Sequence, residues 1–123
     1  MRSAWPSEAF NPKLPRSPAI YTSTFIFAKK QFDIEFHRLD QIIAEAARAI
    51  PGYLGEESWE DTARGLTSNV YYWSSLDALD TLIRHPVHQQ AKAAQSRWLD
   101  GYRVVIAQVL RQYGEGLPGP SLL

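Results

Sequence analysis

The 123-residue chain balances 13 Lys and Arg against 13 Asp and Glu, so no net positive field exists to hold nucleic acid. It has no cysteine, which excludes disulfides, thiolate nucleophiles and Cys-ligated metals and leads us to expect a cytoplasmic protein. No apolar run approaches the ~18 residues that span a membrane, so neither a membrane nor nucleic acid is an expected partner. The length suits one domain with one modest core. Aromatic residues make up 12% of it, a large share for so small a core, and imply a site or an interface besides packing.

Residues 1–18 hold Pro6, Pro12, Pro15 and Pro18, a spacing that forbids a helix and predicts an extended arm, the alternative being a disordered tail. Arg2 is not followed by an apolar segment, so no secretory signal is expected. Residues 20–28 are β-branched and aromatic and predict a first strand, with neither of its faces cleanly polar. From Asp33 the period changes. Phe36, Leu39, Ile43, Ala46 and Ile50 recur at three- and four-residue steps, predicting an amphipathic helix capped by Asp33 and stopped by Pro51-Gly52.

Residues 53–60 and the run Asn69-Val70-Tyr71-Tyr72-Trp73 predict two strands of a hairpin, joined by a turn at Thr62-Ala63-Arg64-Gly65. The spacing of Ser74 and Asp77 predicts the start of a second helix that buries Leu76, Leu79 and either Leu82 or Ile83. Pro86 suits the first turn of a third helix, whose apolar stripe is Val87, Ala91, Ala94 and Trp98. Asp100-Gly101 reads as a turn and residues 102–112 as a fourth strand, followed by an irregular tail from Gly114. The order β-α-β-β-α(α)-β is that of an α+β, ferredoxin-like split βαβ sandwich over residues 19–114, with an arm before it and a tail (residues 115–123) after it. Helices cover one face of such a sheet. The other is too apolar here to stay wet, which predicts a homodimer with sheets face to face.

The strand-to-helix junction gathers aromatics, two histidines and Lys92, and a small aromatic or hydrophobic ligand is expected there. His88 is the candidate acid–base group, because an imidazole titrates near neutrality, and Tyr72 is its candidate catalytic companion. Trp59, Asn69, Trp73, Glu57 and His85 are candidate lining residues, with Arg64 and Arg103 available to pair with Glu57 or an acidic substrate. Tyrosines and tryptophans at strand spacing also serve as core or interface, and His85 before Pro86 also fits a helix cap. Asn69 and Tyr72, an odd number of residues apart, point to opposite faces of a regular strand. His85 and His88 stand at i, i+3 without a third ligand nearby, so no metal site is expected.

Four short motifs are spaced as in a known family: Pro51-Gly52-Tyr53-Leu54-Gly55-x-Glu57-Ser58, Val70-x-Tyr72-Trp73-x-Ser75-Leu76, His85-x-x-His88-x-x-Ala91 and Trp98-x-x-x-Tyr102. In these the chain resembles the antibiotic biosynthesis monooxygenase domain family, over residues 19–114. The resemblance implies a dimeric α+β barrel. It also implies a cofactor-independent monooxygenase-like activity on a hydroxylated aromatic or quinol, the alternative being a non-catalytic dimeric module that binds a small hydrophobic metabolite. Some relatives degrade haem with a strand-one asparagine and a tryptophan and histidine on the second helical segment. Thr22, Ser23, Thr24, Leu82 and Lys92 stand at those places here, so haem degradation is not implied, and no cofactor is expected.

Overall fold

The computed structural model describes residues 19–30 and 32–120; the arm expected over residues 1–18 and the tail's last three residues lie outside them. Among the described residues the chain forms β1 (Ile20–Lys29), α1 (Ile34–Arg48), β2 (Tyr53–Asp61), β3 (Leu66–Trp73), α2 (Leu76–Ile83), α3 (Pro86–Ala94) and β4 (Leu99–Val109). A 3-10 turn, Gln95–Arg97, joins α3 to β4. The four strands make one antiparallel sheet in the order β2-β3-β1-β4, the ferredoxin-like arrangement that the element order predicts.

Local chemistry sets the boundaries. Asp33 caps α1, its carboxylate accepting from the Phe36 N–H at 2.8 Å. After α1 the chain turns at Gly52, whose φ of +103° suits glycine; a Cβ there would lie 2.8 Å from both Ala78 Cβ and Ser74 Oγ. The Ser74 N–H donates to the Gly52 carbonyl at 2.8 Å, which ties the end of β3 to the start of β2.

The core lies between the helices and one face of the sheet. One cluster sets Trp73 of β3 against Ala47 of α1 and Ala78, Leu79 and Leu82 of α2. A second joins Leu39 of α1, Val87 of α3 and Trp98, with Phe32 and Phe36 stacked at 3.8 Å beside it.

Several local expectations are corrected. Ser75, not Ser74, caps α2, accepting from the Ala78 N–H at 3.1 Å, so the serine–carboxylate spacing of Ser74 and Asp77 is not the cap. Leu76 is 46% exposed, because Ala78 takes the inward arc of this two-turn helix alongside Leu79 and Leu82. Asp100 and Gly101 belong to β4: Gly101 pairs with Ala28, and a register shift at Ala28/Lys29 absorbs the irregularity that looks like a turn in sequence. The strand therefore ends at Val109, three residues before its expected end.

Candidate functional site

Strand register sorts the candidate residues onto two faces. Trp73 pairs with Tyr21 and Asn69 with Phe25, and these share the helix side with Ser58, Tyr71, Tyr102, Val104 and Ile106. Tyr72 pairs with Thr22 and Val70 with Thr24, and these share the open side with Glu57, Trp59, Arg103 and Val105. Asn69 and Tyr72 thus stand on opposite sides of β3, as their odd spacing requires.

On the open side, the Tyr72 hydroxyl donates to the Glu57 carboxylate at 2.5 Å. Burial and the adjacent carboxylate push the Tyr72 phenol up to about 12, because both disfavour a phenolate there. The pair meets diagonally across the strands, because the regular register from the hairpin turn sets Glu57 opposite Val70 and Gly55 opposite Tyr72 on one face. Plain alternation would put Tyr53 in phase with Gly55, Glu57 and Trp59, but β2 is irregular between Tyr53 and Gly55: Tyr53 faces the helices, packing at 6.0 Å from Trp73, while Gly55, Glu57 and Trp59 face away. Trp59 is 62% exposed. Arg64 is bound to Asp61 at 2.7 Å and is not available to Glu57.

On the helix side, Trp73 is fully buried, its indole N–H donating to Ser23 Oγ at 3.0 Å. Asn69 is half-buried and accepts the Ser58 hydroxyl on Oδ1 at 2.8 Å, which leaves its amide N–H groups as donors. Beside it lie Phe25 and, 5.7 Å from that ring, Tyr102. The helices lean on the other half of the sheet, α1 on β2 and α2 on β3. Tyr102, Val104 and Ile106 of β4 are left 49%, 53% and 49% exposed, so the floor next to Asn69 is half covered.

The two histidines belong to the helical layer. His85 caps α3, its Nδ1 accepting from the Val87 N–H at 3.1 Å, the structural alternative open to it from its place before Pro86. His88 is half-buried at the α2–α3 junction; burial, helped by Lys92 and His85, lowers its pKa from 6.5, opposed by the Ile83 carbonyl. Its Nδ1 is buried without a partner.

The structure therefore brings Glu57 and Tyr72 together, with Trp59 on the same face, and sets Asn69 with Trp73 on the other. It does not bring His88 to Tyr72, because the sheet lies between them. Sequence reasoning missed Ser23, Ser58, Phe25 and the exposed helix-side row of β4. Ser58 was within reach: counting outward from the turn at residues 62–65 sets Ser58 opposite Asn69. Among the described residues no group of three His, Asp or Glu side chains is placed to hold a metal, and no helix is long and apolar enough to cross a membrane.

No family model matches the chain. It is 35% identical over 105 residues to YqjZ of Bacillus subtilis, an uncharacterized protein, covering 84% of this chain and 90% of that one. Its fold is similar to SnoaB, a cofactor-independent oxygenase of Streptomyces nogalater solved as an asparagine-to-alanine mutant. The TM-score is 0.65 at 14% identity, over 80% of this chain and 100% of that one. A Nitrosomonas europaea protein assigned as an antibiotic biosynthesis monooxygenase matches with a TM-score of 0.64 at 12% identity, over 82% and 100% of the two chains. A Mycobacterium tuberculosis protein, Rv0793, matches at 0.60 with 16% identity, over 79% and 99%. The likeness to these solved structures establishes the fold, and the identity to YqjZ establishes kinship. The chain belongs to the YqjZ family and has the α+β fold of the antibiotic biosynthesis monooxygenase domains.

Proposed function

We propose that the protein is a monooxygenase-like enzyme that works without a bound cofactor on a hydroxylated aromatic or quinol, in the helix-side cleft floored by Phe25, Tyr102, Val104 and Ile106. The observation that carries this reading is Asn69. With Oδ1 occupied by Ser58, its amide N–H groups are left as donors beside Phe25 and the half-exposed row of β4, where a phenolate or enolate oxygen would accept them. Such substrates, once deprotonated, are electron-rich enough to reduce oxygen themselves. The protein must then only hold the anion, keep its ring flat against aromatic walls and exclude water. Trp73, farther along the same face under α1 and α2, offers no donor of its own, because Ser23 holds its N–H.

Tyr72 has no place in this cleft, and its raised pKa makes it a poor base near neutrality. The position of His88 favours a second reading, a module that binds such a molecule without turning it over, because its ring lies against the Ile83 carbonyl at the α2–α3 junction. Oxygen uptake with a panel of hydroquinones and anthrones separates the two. Removing one oxyanion donor costs about 10²–10³ in rate, so Asn69→Ala falls by that factor while Tyr72→Phe stays near wild type. An undiminished Asn69→Ala would refute the assignment, and a wild type inactive on every compound would leave the binding module.

The apolar open face, with Ile20, Thr24, Ile26, Val70 and Val105, supports assembly as a symmetric homodimer whose sheets face each other. Light scattering at micromolar concentration checks this; a mass near the 14.0 kDa of one chain would exclude it.

A further inference from the structure

The side of the sheet that faces away from the helices carries three charged residues among those described: Glu57 and Asp61 on β2 and Arg103 on β4. Asp61 is satisfied within its own turn by Arg64 at 2.7 Å. Glu57 and Arg103 are not matched in this way. In the order β2-β3-β1-β4 they stand on opposite edges, three steps of ~4.8 Å, or about 14 Å, apart. Arg103 therefore does not reach the Glu57 of its own chain, the pairing that the sequence leaves open. Arg38, Arg48, Arg64 and Arg97 each hold a carboxylate, whereas Arg103 forms no ion pair among the described residues.

Between these two charges the face is apolar, with Ile26, Val70 and Val105. Pressed against a second copy it would take both charges out of water, which is strongly destabilising unless each meets one of opposite sign. Tyr72 holds one side of the carboxylate, its hydroxyl donating to Oε1 at 2.5 Å, and leaves Oε2 for a guanidinium. A two-fold axis between two such faces can run in two directions. Running across the strands, it lays β2 over the partner's β2 and β4 over the partner's β4, so that like charges share an edge. Running along the strands, it lays β2 over the partner's β4 and keeps each row of residues opposite the same row. Glu57 lies in the row of Val70, Thr24 and Val105, and Arg103 in the next row, with Ile26 and Ser68. Glu57 and the partner's Arg103 then share an edge, offset by ~7 Å along the strands and ~10 Å between aligned sheets. An extended arginine and a glutamate span that separation.

We propose that two copies pack with their two-fold axis along the strands and that Arg103 of each protomer pairs with the partner's Glu57. This arrangement presupposes the homodimer proposed above and fixes which edges of it meet. One face with its acid on one edge and its base on the other is self-complementary about this axis and self-repelling about the other. The pair forms twice, once at each margin of the interface, with the apolar rows between. Burial of those rows supplies the affinity, and the charges select the orientation.

The test is sedimentation of the full-length chain over a concentration series, which measures the dimer Kd. Glu57→Gln and Arg103→Gln each break both symmetric pairs at once and should each raise that Kd at least about 30-fold. The combined Gln variant should lose less than the two effects multiplied, since no charge is then left buried alone. Glu57→Arg or Arg103→Glu alone sets like charges against each other and should abolish the dimer, and the two together in one chain should restore it. Far-UV circular dichroism checks that each variant folds, and Gln at position 57 can still accept the Tyr72 hydroxyl. A wild type that sediments as the 14.0 kDa chain would remove the homodimer and the pair with it. A dimeric wild type whose Kd is unmoved by Arg103→Gln, or a double charge exchange that stays monomeric, would leave the dimer standing and overturn the pair.

Discussion

Replacing Trp73 by alanine tests the architecture most directly. The side chain is fully buried where β3 meets both α1 and α2, and its N–H is held by Ser23 at 3.0 Å. Truncating a buried tryptophan costs about 3–5 kcal/mol, cavity included. At ~0.05–0.15 kcal/mol per residue, a chain of 123 residues has roughly 6–18 kcal/mol in all. The variant should therefore fold but melt roughly 10–25 °C lower, given a few degrees per kcal/mol at this size. Trp59→Ala is the control: the side chain is largely in water, and its loss should stay within about 0.5 kcal/mol. The hydrogen bond is isolated by a cycle of Trp73→Phe, Ser23→Ala and the double variant, with an expected coupling of about 1 kcal/mol. Urea unfolding followed by far-UV circular dichroism serves for the wild type and all five variants, because tryptophan fluorescence would change with the substitutions themselves. Equal midpoints for Trp73→Ala and Trp59→Ala would refute the placement of the core, and zero coupling would refute the indole–serine bond.

Ser75→Ala should cost about 1 kcal/mol and Ser74→Ala almost nothing, since only Ser75 accepts from the Ala78 N–H; equal losses in urea would reassign the cap. His88 has a folded pKa below its ordinary 6.5, so the unfolded chain takes up a proton more readily. Its share of stability is therefore intact above pH 6.5 and is lost as pH falls below that towards the folded pKa. His88→Gln should flatten that part of the stability–pH curve, and an unchanged slope would refute the effect. Gly55→Ala should cost on the order of 1–3 kcal/mol, because φ is +154° and the new Cβ would lie 2.6 Å from Pro120 Cβ. Ending the chain at Gly119 should recover part of that loss and no more, which thermal melts of the single and combined variants would show.

Periodicity carries the fold well because long elements average out local accidents. α1 is written in the spacing of Leu39, Ile43 and Ala46, and the sheet in the β-branched runs, so element order alone leads to the split βαβ arrangement. Short elements and irregularities carry less signal. Asp100-Gly101 has the composition of a turn, and only its partner Ala28 on a distant strand makes it a strand. The candidate site divides along the same line. That Asn69 and Tyr72 part ways follows from parity, and the Ser58–Asn69 contact follows from the turn. The Tyr72–Glu57 bond follows from that same turn, whereas the side on which Tyr53 falls depends on the irregularity before Gly55, which the sequence marks only with a glycine. The position of His88 depends on how α3 lies against α1 through Val87 and Leu39, a tertiary choice that helical spacing does not encode.

The two edges of the sheet are unlike, and this limits how the protein can grow. β2 carries Glu56, Glu57, Glu60 and Asp61, is interrupted near Gly55, and has Pro120 set against it there. Those are the devices that keep an edge from accepting a further strand. β4 has none of them along Val104-Val105-Ile106, three successive apolar residues each at least 42% exposed. Strand addition thus has one open direction. Two copies joined through β4 would present only acidic, broken edges outward, so such association terminates at a pair instead of propagating into a filament.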